Sequence, residues 1–458
     1  MIREKLLSQK RRLIDTRARI LETPIGWHVV RFRDLFDFGK GLNITKENLQ
    51  PSGVPCVNYG EVHSKYGFEV TPRKHELQCV SEDYLKKFPR SLLNKGDFVF
   101  ADTSEDIEGS GNFTQLVSDD TVFAGYHTVI CRPVGDNDSR YLAYFLESES
   151  YRSQIRTAVK GVKVYSITKS ILKNTKVWFP KVQDQQYISK FLDNKTTQID
   201  EAIAIKEQQI ALLKERKQII IQKAVTQGLD PNVPKKDSGV DWIGQIPEHW
   251  EVKRAKYIFD EVDERSKTGD EELLSVSHMT GVTPRSEKNV SMFMAEDYTG
   301  SKLCRENDLV INIMWAWMGA LGVSDRVGIV SPSYGVFRQK VENTFNPVYL
   351  EYLLKSIHYV EYYNTVSTGL HSSRLRFYGH MLFAMKMGYP CYEEQNQIIA
   401  YLGEQTKKID LAVDSQLAQI EKLKEYKTTL INSAVTGKIK VTPEMAGIDD
   451  VAQDAVEA

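Results

Sequence analysis

The chain has 458 residues, 41% hydrophobic and 26% charged, with a formal net charge of −1. That composition belongs to a globular protein of two to four ordinary domains and excludes collagenous and disordered chains. No apolar run approaches the roughly 20 residues of a membrane helix, and the basic N-terminus lacks a signal-peptide stretch, so no membrane association and a cytoplasmic location are expected.

In chain order, residues 1–22 form a basic segment expected to be helical. Residues 23–182 read as a first globular domain, with short β-branched and aromatic runs at Trp27–Phe32, Asp97–Phe100 and Thr128–Arg132 and a helical stretch over Arg140–Val159. From Tyr151 to Val182 there are eight basic residues (Arg152, Arg156, Lys160, Lys163, Lys169, Lys173, Lys176, Lys181) and no acid. A long helix is predicted over 183–228. A linker follows over 229–245, marked by Pro231, Pro234, Gly239 and Gly244. Residues 246–391 form a second globular domain, with strands at Leu309–Ile313 and Gly335–Val341 and a helix over Pro347–Tyr362. Its closing stretch, Tyr362–Tyr392, is again acid-free and carries His371, Arg374, Arg376, His380 and Lys386. A second long helix covers 392–437, and 438–458 is expected to be an acidic tail.

The two long helices are copies. Gln185–Thr226 laid on Gln395–Thr436 without a gap gives 17 identities in 42 positions, the mark of a duplicated chain. The repeat reaches into the domains: Trp27 with Leu35-Phe36 matches Trp250 with Ile258-Phe259, and Gly96-Asp97-Phe98-Val99 matches Asn307-Asp308-Leu309-Val310. Trp27, Trp250 and Phe36 are read as core.

Both helices carry heptad spacing. Ile199, Ile203, Lys206, Ile210, Leu213, Lys217, Ile220 and Ala224 step by fours and threes, as do Ile409, Val413, Gln416, Ile420, Leu423, Lys427, Leu430 and Ala434. A helix of about 60 Å would overhang a domain of this size, so pairing the copies with each other is the economical solution. The linker is too short to run back along the helix, which predicts antiparallel pairing, a dumb-bell shape, and seam lysines that set register. The fold class is therefore α+β multidomain: two mixed α/β domains joined by two long helices in an antiparallel coiled coil, with a pseudo-twofold internal repeat.

Catalytic signatures are missing. There is no phosphate loop, no Gly-x-Ser-x-Gly elbow, no His-Glu-x-x-His and no Asn-Pro-Pro-Tyr/Phe, so no catalytic residue is expected. Cys56, Cys79, Cys131, Cys304 and Cys391 are scattered without a Cys-x-x-Cys pair, which fits reduced thiols and no metal. What remains suits recognition, since Asn, Ser, Glu, His and Arg can address base edges while Lys and Arg hold phosphates. The candidates in the first half are Asn58, Tyr59, Lys65, Tyr66, Ser104, Glu105, Tyr126 and His127, with Lys160, Lys163, Lys169 and Lys173. In the second they are Ser277, His278, Trp315, Trp317, Tyr334, His371, Arg374 and Arg376, although packing is the first expectation for the two tryptophans.

Three features together resemble the specificity subunits of Type I restriction–modification systems: the phrase Lys236-Asp237-Ser238-Gly239-Val240-Asp241-Trp242-Ile243-Gly244 through Pro247-Glu248-His249-Trp250, the segment from Asp308 through Trp315-Ala316-Trp317 to Ser333-Tyr334, and the duplicated helices. The resemblance spans residues 20–437. It implies two target recognition domains that each read half of a bipartite, asymmetric sequence in double-stranded DNA. It also implies a spacer coiled coil (Ile199, Ile210, Leu213, Ile220, Ile409, Ile420, Leu423, Leu430) that docks modification subunits, two in number, with restriction subunits joining for cleavage. S-adenosylmethionine, magnesium and ATP then belong to the partners and none to this chain. The alternative is a tandem protein-interaction scaffold, and a third possibility is a self-sufficient methyltransferase or nuclease. The Asp-Trp-Ile-Gly phrase has no evident copy before Pro24.

Overall fold

The computed structural model describes residues 11–15, 20–161, 163–288, 297–369 and 374–448. The chain divides into two compact units, one running to Lys206 and resuming at Ala418, the other spanning Glu207–Leu417. Each unit therefore holds one globular domain, part of the long helix Val182–Gln227 and part of the long helix Tyr392–Val435. The division falls inside both helices rather than at their ends.

The core of the first unit is organised by the strand Phe98–Ala101, buried along its whole length. Successive side chains point to opposite faces of a strand. Phe98 and Phe100 accordingly enter one apolar cluster with Phe32, Phe36, Tyr141 and Trp178, while Val99 and Ala101 enter another with Val57, Val70 and Ile130. The strand lies third in a five-stranded sheet ordered Phe36–Lys40, Thr128–Pro133, Phe98–Ala101, Phe113–Leu116, Glu69–Val70. The expected helix over Arg140–Val159 is two helices, Ser139–Glu147 and Glu149–Ala158. The break is at Ser148, whose side-chain oxygen accepts from the Tyr151 N–H and so caps the second.

The second unit repeats this plan. Four strands run in the order Phe259–Glu261, Gly335–Gln339, Leu309–Ile311, Leu321–Val323, and the helices Pro347–Leu354 and Ile357–Val366 follow. Trp250 is buried in its core.

Two expectations about flanking segments are corrected. The N-terminal segment is not helical over its described part: Arg11–Asp15 pairs antiparallel with Ile20–Pro24, Arg11 opposite Pro24. The linker contains the same hairpin, Lys235–Asp237 on Gln245–Pro247 with Lys235 opposite Pro247. The Asp-Trp-Ile-Gly phrase thus has a structural copy that shares its closing proline and pairing rather than its side chains. The C-terminal segment is packed through Ile448: Ile439 and Val441 join the core of the first unit. Its acidic remainder lies outside the described residues.

The helices pair antiparallel within each unit. In the first, Lys427 Nζ donates to Asp200 at 2.7 Å and Lys206 Nζ to Gln419 Oε1 at 2.6 Å. In the second, Lys217 Nζ donates to Asp410 at 2.7 Å. Ile199, Ile210, Ile409, Ile420 and Leu430 are buried, and Leu213, Ile220 and Leu423 half-buried, as seam positions require. Both helices end before a glycine in the left-handed region, Gly228 at φ 78° and Gly437 at φ 64°, where a side chain would be strained. Among the described residues no helix is long and apolar enough to cross a membrane, and no group of His, Cys, Asp or Glu is placed to hold a metal. All five cysteines are free thiols.

Candidate nucleic-acid interface

In the first unit three segments meet around the backbone of Asp102, just past the central strand. Asp102 N–H donates to the His127 carbonyl at 3.0 Å, and Ile167 N–H donates to the Asp102 carbonyl at 2.7 Å. Thr103 and Ser104 pair with Ser166 and Tyr165. This brings the loop after Ala101, the turn before Thr128 and the basic stretch around Lys163–Lys169 to one face. His127 sits there at φ 54°, a conformation that costs a non-glycine residue about 1 kcal/mol or more and clusters at functional sites. Its Nδ1 lies 3.2 Å from Asp102 Oδ1, which leaves Nε2 to solvent. Tyr59 touches both Tyr126 and His127 edge-on, at 5.6 and 5.3 Å between ring centroids.

Beside these rings is a cavity of about 370 Å³ lined by Tyr59, His63, Ser104, Glu105, Asp106 and Asn112. Its wall is fixed by a polar chain: His63 Nε2 donates to the Thr103 carbonyl at 2.8 Å, and His63 Nδ1 accepts from the Asn112 amide at 3.0 Å. The Asn112 oxygen accepts from Arg152, which is held by Glu147 at 3.2 Å. His63 therefore has both ring nitrogens committed and positions the wall, while the exposed Glu105 and the hydroxyl of Tyr59 remain to address a ligand. Sequence reasoning missed His63 and Asn112, whose partners are about 40 residues or more away along the chain.

Several candidates are placed differently from expectation. Asn58, Tyr66 and Ser104 are interior side chains, at 1%, 5% and 4% exposure, so none presents itself at the surface. Ser104 instead closes its own turn, donating to the Asp106 carbonyl at 2.7 Å. Lys65, Lys160 and Lys163 are exposed, Lys169 is half-buried, and Lys173 lies over the Phe38 ring at 5.0 Å. Arg152 and Arg156 of the acid-free stretch are neutralised by acids upstream of it, Arg152 by Glu147 and Arg156 by Glu108 and Glu149 at 3.2 and 2.9 Å.

The second unit builds the corresponding place with other side chains. Phe377 N–H donates to the Ile313 carbonyl at 3.0 Å, the counterpart of Ile167 on Asp102, and Thr368 pairs with Arg376. Trp315 and Trp317 stack at 6.0 Å between centroids. Trp317 is half-buried with its indole N–H on the Met314 carbonyl, but Trp315 is 47% exposed, against the expectation of packing. Tyr334 accepts from the Asn312 amide at 2.9 Å. The Arg376 guanidinium donates to the Leu375 carbonyl, and Arg374 is exposed. Ser277 is spent on its own turn with Thr280, and His278 lines a separate groove of about 750 Å³ with Gln222, Val348 and Tyr352. The structure therefore does not bring these two to the tryptophan pair. His371 lies outside the described residues.

The arrangement defines a class: a duplicated α+β chain whose two units carry different side chains on corresponding backbone positions, each unit holding part of both long, antiparallel helices. Comparison with known proteins agrees. The family model of the Type I restriction modification DNA specificity domain matches residues 24–215. The chain is 24% identical over 446 residues to a putative Type I restriction enzyme MjaX specificity subunit of Methanocaldococcus jannaschii, covering 93% of this chain and 96% of that one. It is 26% identical over 322 residues to the MjaVIII specificity subunit of the same organism, covering 66% and 71%. Among solved structures, a chain from a study of assembly and conformational transition of the type I R-M system superposes with a TM-score of 0.66 at 16% identity, covering 92% of this chain and all of that one. The HsdS subunit of Thermoanaerobacter tengcongensis gives 0.53 at 16% identity, covering 91% and 98%. The chain is thus similar to Type I restriction–modification specificity subunits, by a family model over its first half and by relatives that span most of its length, and it shares the fold of solved subunits of that kind.

Proposed function

We infer that this chain is the DNA-reading subunit of a Type I restriction–modification complex. Each domain reads one part of a bipartite duplex target, and the complex is completed by modification subunits. The observation that carries this reading is the duplicated face. One backbone scheme, with Asp102 receiving Ile167 and Ile313 receiving Phe377, displays Tyr59, Glu105, Tyr126 and His127 in one unit and Trp315, Tyr334 and Arg374 in the other. Equal scaffolds with unequal side chains fit two different half-sites, hence an asymmetric target.

The heptad residues are turned into the seam, so docking of partners falls to the outer faces of the helices. Two copies of one helix, alike at 17 of 42 aligned positions, suit two modification subunits. Bond-making chemistry, with S-adenosylmethionine, ATP and magnesium, belongs to the partners, and this chain contributes binding and orientation in a cytoplasmic complex.

The test is selection of random duplex DNA by the full chain with its modification subunit, followed by sequencing of the bound pool. A gapped motif with two dissimilar parts is expected. An unselected pool would favour the protein-interaction scaffold, and methyl transfer by this chain alone would overturn the non-catalytic assignment.

A further inference from the structure

The first unit holds a second, basic cleft that the repeat does not duplicate. It encloses about 710 Å³ beside the end of the strand Phe36–Lys40 and is lined by Lys40, Asn43, Arg90, Asn94, Arg132 and Lys169, among others. Arg132 is committed. It is held by Asp97 at 3.2 Å and donates to the carbonyls of Arg90 and Leu92, so it forms the floor. Lys40, Arg90 and Lys169 have no carboxylate partner among the described residues, and Lys173 stands beside them over Phe38. Partial burial, with Lys173 and Lys40 close by, holds the Lys169 ammonium below the usual lysine pKa. Crowded like charges without a counter-ion are unfavourable, and an anion in the cleft removes the cost.

Strand register and the repeat identify the equivalent positions in the second unit. Arg132 on Asp97 has its copy in Arg338 on Asp308 at 2.7 Å. Lys40, however, corresponds to Asp263, Arg90 to Ser301, Lys169 to Gly379 and Lys173 to Phe383. There Glu264 closes on Arg338 and Arg305 at 2.9 and 2.8 Å. The same framework is thus cationic and open in one unit, and filled by its own acid in the other. A structural requirement of the fold would have appeared in both.

We propose that the Lys40–Arg90–Lys169 cleft is a phosphate clamp of the first domain, which takes the phosphodiester backbone of bound DNA and has no counterpart in the second. It adjoins the reading face: Lys40 ends the strand paired with Val129, two residues from His127, and Lys169 lies two residues beyond Ile167. The clamp rests on the DNA-reading function proposed above and adds to the salt dependence of the half of the target that the first domain reads a share that the second domain lacks.

The full chain and its Lys40→Gln/Arg90→Gln/Lys169→Gln variant are titrated with specific and random duplexes between 50 and 200 mM salt, with thermal denaturation checking that the variant is folded. A clamp that contacts two to three phosphates predicts weaker binding to both duplexes and a log–log salt slope shallower by about 2 to 3. A folded variant with the wild-type slope overturns the clamp and leaves the DNA-reading function standing. A wild-type chain, assayed with its modification subunit, that binds no duplex overturns both. If the variant loses binding of a fluorescent nucleoside triphosphate but keeps the DNA slope, the cleft serves a free nucleotide and the backbone assignment fails.

Discussion

Lys217 Nζ lies 2.7 Å from both carboxylate oxygens of Asp410, and 210 residues along, Lys427 meets Asp200 at the same distance. One charged pair is thus written twice, once in each unit. A lysine in an apolar seam is tolerated because its stem packs and its head reaches a carboxylate at the rim. The lysines are 27% exposed and the aspartates more than half, so each pair contributes about 1 kcal/mol or less to stability. Its use is in register, since sliding one helix by a heptad separates both pairs. Lys217→Asp should lower the urea midpoint modestly, and adding Asp410→Lys should restore it. A double mutant no more stable than the sum of its single changes would show that the pair does not couple.

The helix ends are tied to the domains by a second repeated bond. The buried Tyr349 hydroxyl donates to the Val225 carbonyl at 2.9 Å, and the Tyr141 hydroxyl to the carbonyls of Trp178 and Val435 at 3.1 and 3.3 Å. Phenylalanine keeps the ring packing and strands the acceptor, at a cost of about 1–2 kcal/mol. Tyr349→Phe and Tyr141→Phe should each lower stability by that amount in denaturant titrations and leave the selected DNA motif unchanged. A changed motif at unchanged stability would contradict the anchoring role.

What the sequence makes legible is what depends on period and composition. The seam was readable because fours and threes repeat over many turns, and the direction of pairing followed from the short linker. The central strand is readable from its apolar run, expected at Asp97–Phe100 and found at Phe98–Ala101. The N-terminal hairpin was not, because its match to the linker hairpin lies in backbone pairing rather than in side chains. Arg152 and Arg156 looked free because their acids lie upstream of the stretch that lacked them. Asn58 and Tyr66 looked like loop readers, and only tertiary packing turns them inward. Trp315 ran the other way: an aromatic residue is expected inside, yet this one stands half in solvent at the recognition face.

Acid stability should depend on Glu69. Burial raises its pKa, but Arg140 at 2.9 Å, joined by Lys74, outweighs this and leaves the carboxyl below its ordinary value of 4.5. A carboxylate with a depressed folded-state pKa contributes stability that is full above the unfolded value and is lost as pH falls through the folded one. Glu69→Gln should therefore destabilise the chain at neutral pH, and its difference from wild type should begin to shrink below about pH 4.5 and close only as the pH falls through the lower folded value. A difference that persisted undiminished into that range would mean the side chain acts through packing rather than charge.

His127 offers the sharpest test of the reading face, because stability and recognition should move apart there. Its left-handed backbone is strained for any residue with a Cβ, whereas glycine adopts it freely. The side chain's only hydrogen-bonding partner among the described residues is the half-exposed Asp102 carboxylate at 3.2 Å, a contact of small worth in water. His127→Gly should thus hold or raise the melting temperature. If the imidazole reads a base edge, the same change should relax preference at one position of the half-site, at about 1–3 kcal/mol of discrimination, and leave the salt slope alone. A weaker salt slope with intact preference would move His127 from base to phosphate. A lower melting temperature with intact preference would make its conformation structural.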